Sequence, residues 1–199
     1  MIKIENIDVY GFEAAIRGAR NPMNSWHLMD SCTNNGEFEI GEKDYDLLRR
    51  LTIAGPEHRK WNRMVTVTMD ITAPLYWWKE YDTYKVATVA NSCSTMHRIH
   101  AKEFTLEDFS CEHLINEPFP VTDEYVETYL DCMTDTIKAL NCARRMFLET
   151  KNKKYWWQMI QLLPSSYNQK RTVLLNYQVL RNMYHARKNH KLDCWIEFC

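Results

Sequence analysis

The stretch Ala73–Lys85, APLYWWKEYDTYK, decides how this chain is read. Two tryptophans and three tyrosines stand beside two lysines, a glutamate and an aspartate, so the segment must cover apolar surface and still present charge. Pro74 has no N–H to give a sheet ladder, but its fixed φ suits the first turn of a helix. The spacing predicts a helix started by Pro74, with Leu75, Trp78, Tyr81 and Lys85 along one side. Just upstream, Met64–Ile71 alternates Val65, Val67, Met69 and Ile71 with threonines and Asp70, the period of a half-buried strand.

Working outward, Ile2–Val9 reads as a strand, and Gly11–Arg20 as a helix with Phe12, Ala15, Ile16 and Ala19 in helical register. Asn21–Gly41 is rich in Asn, Ser, Gly and Pro and reads as loop. Gly41–Ala54 is expected to be helical, with Tyr45, Leu48, Leu51 and Thr52 on one face and Gly55-Pro56 as the stop. Thr122 is expected to cap the longest helix, with Asp123 and Glu124 at the positive end of its dipole. Within that helix Val126, Leu130, Met133, Ile137 and Leu140 repeat at four, three, four, three, a seam that suits either an internal helix contact or one between subunits. Tyr155–Leu163, Thr172–Arg187 and His190–Cys199 complete the helices. The pattern predicts an α+β fold, helix-rich with a small mixed or antiparallel sheet, in one domain over residues 1–199 with one core.

Composition narrows the function. The 199 residues carry a net charge of −1 with scattered Lys and Arg, so there is no basic stripe of the kind that follows a nucleic-acid backbone. The apolar runs are too short to cross a bilayer, and the charged N-terminus is unlike a secretory leader, so a cytoplasmic protein without membrane contact is expected. Seven cysteines with no CxxC pair suit reduced thiols. His97-x-x-His100 and Cys111-x-His113 lack a second ligand pair at zinc-finger spacing, so no metal site is expected. Five glycines, none in GxGxxG, argue against a Rossmann nucleotide site.

Three stretches combine polar groups with aromatics beyond what packing needs: Glu57–Trp61, Lys79–His100 and Asn176–Arg187. Their order resembles the flavin-dependent thymidylate synthases. In that family a His precedes a strand ending in Ala-Pro, then come an aromatic helix with Arg-Gln-Trp, an Arg-His-Arg signature, and a C-terminal helix reading Asn-x-Arg-Ser-Leu with a later Asn and Arg. Here His58 precedes the strand, Ala73-Pro74 follows, and Lys79-Glu80-Tyr81 stands at Arg-Gln-Trp. Asn176-Tyr177-Gln178-Val179-Leu180, then Asn182 and Arg187, match the tail. The matches span about residues 56–99 and 160–198, with Phe12–Arg20 weakly compatible.

The departures are equally specific. Arg-His-Arg is reduced to Thr83-Tyr84-Lys85, and the first arginine of the C-terminal helix is Gln178. Asn91 and Ser94 fall on the family's Asn and Ser, while the next arginine is replaced by Met96, with Arg98 two positions late. The resemblance implies a homotetramer with flavin adenine dinucleotide (FAD) between subunits, a pyrimidine deoxynucleotide stacked on the flavin, and one-carbon transfer to deoxyuridine monophosphate (dUMP) with NADPH and methylenetetrahydrofolate as co-substrates. It assigns His58, Lys79, Thr83, Lys85, Asn91 and Asn182 to the cofactor, and Glu80, Ser94, Arg98 and Arg187 to the substrate. No residue is assigned a covalent role, Cys93 included. Because lysine is a point charge where arginine binds phosphate with two prongs, the substitutions imply weaker anion binding. A non-catalytic nucleotide- or flavin-binding homologue, and an assembly protein in which these residues are structural, are the other readings.

Overall fold

The computed structural model describes residues 2–122 and 126–199. Strand β1 (Lys3–Tyr10) leads into helix α1 (Phe12–Arg20) through Gly11, whose φ of +95° places its α-hydrogen where any side chain would strike the Met64 carbonyl. A hairpin of β2 (Cys32–Asn34) and β3 (Glu37–Glu39) follows, within the segment expected to be loop. Its turn is closed by Asn35 and Gly36, both at positive φ, a pair favoured in tight hairpins. Helix α2 (Glu42–Ile53) buries Asp44 and Leu48, while Tyr45, placed by sequence on the packed face, is exposed. Asp44 binds Arg20 at 2.6 Å and accepts the Ser31 hydroxyl and the Asp30 and Ser31 amides, which pins this N-terminal layer together.

Strand β4 (Thr66–Pro74) runs directly into helix α3 (Leu75–Tyr81). Pro74 is the last residue of the strand, opposite Asn168, and the N-cap of the helix. The helix ends at Tyr81, so Thr83 and Lys85 lie beyond it; the Thr83 hydroxyl donates to the Glu80 carbonyl at 2.7 Å as the last turn closes. Strand β5 (Thr88–Ser92) and the hairpin β6 (Pro118–Pro120) and β7 (Val126–Thr128) were not legible as strands. The longest helix, α4 (Tyr129–Thr150), begins six residues later than expected. Its cap is Thr128 instead of Thr122: the Thr128 hydroxyl accepts from the Asp131 amide, and the Asp131 carboxylate accepts back from the Thr128 amide. Asp123 and Glu124, expected at the helix start, lie outside the described residues. Helix α5 (Lys153–Leu162) packs along α4.

Residues 168–176 form strand β8 (Asn168–Asn176), where a helix over 172–187 is expected from sequence; the helix, α6 (Tyr177–Arg187), starts only after Asn176, whose side chain caps it by accepting from the Val179 amide at 3.0 Å. Helix α7 (Asp193–Phe198) closes the chain. The sheet is antiparallel throughout, in the order β1-β4-β8-β5. One face carries Val67, Met69, Ile71, Ala73, Val173 and Leu175 against α3, α6 and α7; the other carries Thr68, Asp70, Thr72, Lys170 and Thr172. The aromatics of α3 fill the covered side, with Trp77 and Trp78 fully buried and Trp195 of α7 4.7 Å from Trp77. Where one core is expected, two separate clusters of buried residues stand out among the described residues. Ile99, Phe104, Phe109, Leu140, Ala143 and Met159 make the second, between α4, α5 and the segment before them. The seam on α4 contributes Met133, Ile137 and Leu140 to it, while Val126 belongs to β7 and is exposed. Among the described residues, no helix is long and apolar enough to cross a membrane.

Candidate functional site

The register of the sheet fixes where the ten candidate side chains can go. Thr66 pairs with Asn176 at one end of β4 and β8, and Pro74 with Asn168 at the other. Nine residues of strand separate these ends by roughly 26 Å. His58, at the start of a short 3-10 turn (Arg59–Arg63) just before β4, belongs to the Asn176 end, where that turn packs on α6. Asn182 lies on α6, exposed, with its side-chain oxygen accepting from Gln178 at 2.8 Å.

At the other end a cleft of about 500 Å³ opens beside the C-terminal end of β5. Ser94 and Arg98 line it, together with Lys102, Tyr167, Gln169 and Lys170. The chain is shaped here by Ser94, whose hydroxyl accepts from the amides of Met96 and His97 at 3.2 and 2.9 Å. The floor is fixed by Gln169, which donates to the Cys93 carbonyl at 2.7 Å and accepts from Arg171 at 2.9 Å. Lys102 is held by Asp108 and Lys170 by Asp70, at 3.0 Å in the second case, and both lysines have their ammonium pKa raised by those bonds. Arg98 is exposed and, among the described residues, has no carboxylate partner. The cleft therefore offers one uncommitted guanidinium and two lysines whose charge is partly balanced, three cations against the Glu107 and Asp108 carboxylates that also line it. That set suits a phosphate better than a neutral ligand.

Glu80 and Arg187 meet each other. One Glu80 oxygen lies 2.6 Å from Arg187, accepts from the Trp195 indole N–H at 3.0 Å, and lies 3.3 Å from His190 Nε2. Arg187 also donates to the Tyr84 hydroxyl at 3.0 Å, and its guanidinium lies 4.9 Å from the centre of the Trp195 ring. The pair is only partly exposed, 19% for the Arg187 side chain and 33% for Glu80, so the arginine's charge is answered within the chain. The family resemblance assigns both Glu80 and Arg187 to the substrate; the fold pairs them with each other. Lys79 and Lys85 remain exposed, with no carboxylate partner among the described residues. Lys85 borders a shallow groove of about 370 Å³ with Asp82, Thr88 and Ala90. Asn91 is exposed on β5 opposite Thr172, and Thr83 is exposed beside Glu80.

The fold thus brings Glu80 to Arg187 and Ser94 to Arg98, and holds His58 at the far end of the sheet. Tyr84 stood in the reduced signature without a role, and His190, Trp195, Lys102, Tyr167 and Lys170 were not singled out in sequence. Tyr84 and Trp195 reach Arg187 and Glu80 across 103 and 115 positions, and no local spacing announces such contacts. Among the described residues no group of three or more His, Cys, Asp or Glu could hold a metal, and none of the seven cysteines is disulfide-bonded.

No protein-family model and no curated protein matches the sequence. Solved structures do match in three dimensions. The flavin-dependent thymidylate synthase ThyX of Helicobacter pylori, complexed with FAD and dUMP, superposes with a TM-score of 0.67 at 16% identity, over 98% of this chain and 89% of that one. A second structure of the Helicobacter pylori enzyme with FAD and dUMP gives 0.65, also at 16% identity, over 98% and 88%. The UMP/dUMP methylase PolB of Streptomyces cacaoi, bound with 5-Br UMP, gives 0.57 at 14% identity, over 94% and 76%. The chain has the fold of the flavin-dependent thymidylate synthases, helix-rich around a small antiparallel sheet, as its motif order suggested.

Proposed function

We propose that this protein binds a pyrimidine nucleotide, dUMP or UMP, with its phosphate in the Ser94–Arg98 cleft, and transfers a one-carbon unit to the base with the help of FAD. The observation that carries this reading is the cleft itself, where Arg98, without a carboxylate partner among the described residues, stands beside Lys102, Lys170 and the Tyr167 ring on a fold whose solved examples hold FAD and dUMP, or 5-Br UMP.

FAD fits the remaining residues in charge. Lys79 and Lys85, both exposed and without a carboxylate partner among the described residues, suit its phosphates, and the exposed amide of Asn182 suits the polar edge of the flavin ring. When bound, the flavin would carry the hydride. The chain's own part is positional: Ser94 and Arg98 hold the nucleotide's phosphate, the Tyr167 ring walls the cleft, and Gln169 keeps its floor rigid. His58 stands at the opposite end of the sheet from the cleft, which supports a site of this kind assembled between copies of the chain. NADPH and methylenetetrahydrofolate are the co-substrates this chemistry calls for.

One observation favours a second reading, a nucleotide- or flavin-binding homologue without turnover. Arg187 is bound to Glu80, and a carboxylate on that guanidinium competes with any ligand anion that would use it. The two readings separate by experiment. Purified protein reconstituted with FAD, given NADPH, methylenetetrahydrofolate and dUMP, should bleach the flavin band and yield methylated nucleotide. Flavin or nucleotide binding without product establishes the binding module; no binding of either overturns both.

A further inference from the structure

The coil that carries Arg98 and Lys102 is held from outside the cleft. Residues 93–105 form neither helix nor strand, yet three of their carbonyls are taken by side chains of the packed α4–α5 pair. The Trp156 indole of α5 donates to the Met96 carbonyl at 3.0 Å, and the Arg144 Nε of α4 donates to the His100 carbonyl at 3.0 Å. The Asn141 side chain of α4 donates to the Phe104 carbonyl at 2.8 Å, and its oxygen accepts from the Phe104 amide at 2.9 Å. The tethered positions, 96, 100 and 104, recur every four residues, and Arg98 and Lys102 stand midway between them. Packing reinforces the tethers: Ile99 and Phe104 are buried in the second cluster with Leu140, Ala143 and Met159, and the His100 ring lies 4.9 Å from Phe147 of α4. Arg144 is half-buried and has no carboxylate partner among the described residues, so its bond to a neutral carbonyl is not a by-product of an ion pair. Neither Trp156 nor Arg144 lines the cleft, so any effect on a ligand there runs through the coil. An untethered coil would have to order when a phosphate binds, and that lost entropy would come out of the affinity.

We propose that Trp156 and Arg144 are positioning residues for phosphate recognition: by holding the Met96 and His100 carbonyls, two residues to either side, they fix Arg98 in the cleft. The inference rests on the nucleotide reading of that cleft and adds to it the α4–α5 layer as the part that preorganises the guanidinium. The same donors engage carbonyl oxygens whose negative ends, if left free beside the cleft, would oppose an anion. Ser94 completes the arrangement from within, since its hydroxyl accepts from the amides of Met96 and His97 while Trp156 takes the Met96 carbonyl. Between the two tethers the Ala101 amide donates to the Arg98 carbonyl at 2.9 Å, so the backbone of Arg98 is itself tied into the turn.

Two variants test it in the full chain with FAD present. Trp156→Phe keeps an aromatic ring and loses the indole N–H; Arg144→Met keeps an unbranched stem and loses the donor. In calorimetric titrations with dUMP and UMP each should bind about fivefold more weakly than the parent, the effect of one lost neutral hydrogen bond. Neither should weaken binding further in an Arg98→Ala background, where no guanidinium is left to place. Arg145→Met removes a neighbouring charge of α4 whose recorded bond is to Cys142 Sγ, and it should bind as the parent does. In the ligand-free protein, hydrogen exchange should quicken at the Met96 and His97 amides in Trp156→Phe and at the Ala101 amide in Arg144→Met. A purely structural role would lower the melting temperature and leave the affinity of the folded protein unchanged. Parent-like affinity in either variant, an equal loss in the Arg98→Ala background, or an equal loss in Arg145→Met overturns the inference and leaves the nucleotide reading standing. A parent protein that binds neither nucleotide overturns both.

Discussion

At Glu80 a single carboxylate oxygen takes Arg187 at 2.6 Å and the Trp195 indole at 3.0 Å, with His190 at 3.3 Å. Removing one partner of such a half-buried pair leaves the other charge poorly solvated, which costs more than the net contribution of the intact pair. Arg187→Ala is therefore expected to lower stability by about 2 kcal/mol in a denaturant titration with an unchanged m-value. Changing Glu80 and Arg187 together to Gln and Met should recover part of that loss, the sign of a coupled pair in a double-mutant cycle. A second residue shows local strain: Ala87 has φ of +59°, a conformation that a Cβ disfavours. Ala87→Gly should raise stability by about 0.5–1 kcal/mol, read by the same titration. The sequence marked Glu80 and Arg187 as unusual through their motif positions. It could not pair them, because the contact spans 107 positions and depends on α3 and α6 meeting over a common core.

The elements were legible where one signal was strong. Thr66–Pro74 alternates cleanly, and α3 follows it at Pro74, so the aromatic stretch was placed on a helix, although the helix stops at Tyr81 and leaves Lys85 outside. Two misreadings have physical causes. The run Thr172–Leu175 is a short apolar segment that fits a strand or a buried helix turn equally, and pairing with β4 and β5 on both sides decides for the strand. The mark of the true boundary, Asn176 as cap, was present all along. Likewise Thr122 and Thr128 both precede acidic residues, but only Thr128 is followed three positions later by an Asp that completes a reciprocal cap in the structure. Thr128→Ala is expected to destabilise by about 1 kcal/mol, with the loss visible as faster amide exchange in the first turn of α4.

Across the whole molecule, the uncovered sheet face ties three strands together through Asp70. The Thr172 hydroxyl, the Asn6 side-chain amide and the Lys170 ammonium hold its pKa down at about 2, below its ordinary 3.8. A carboxylate lowered by folding stabilises when charged, so its contribution is present above about pH 4 and fades as the pH falls to about 2. Asp70→Asn should accordingly melt earlier than the parent at about pH 6, with the gap closing as the pH approaches 2, as read by calorimetry. At this scale the motif order in the sequence already indicated the fold that the solved structures share. The division of the candidate residues between the two ends of the sheet was hidden, because motif order carries no information on strand register. The central claim is that the Ser94–Arg98 cleft still holds a pyrimidine nucleotide's phosphate. Calorimetric titration of the FAD-loaded protein with dUMP and UMP, for the parent and for Arg98→Ala, tests it directly. The account predicts saturable binding that Arg98→Ala weakens about tenfold or more. Equal affinity in the two proteins, or no heat with either nucleotide, would contradict it.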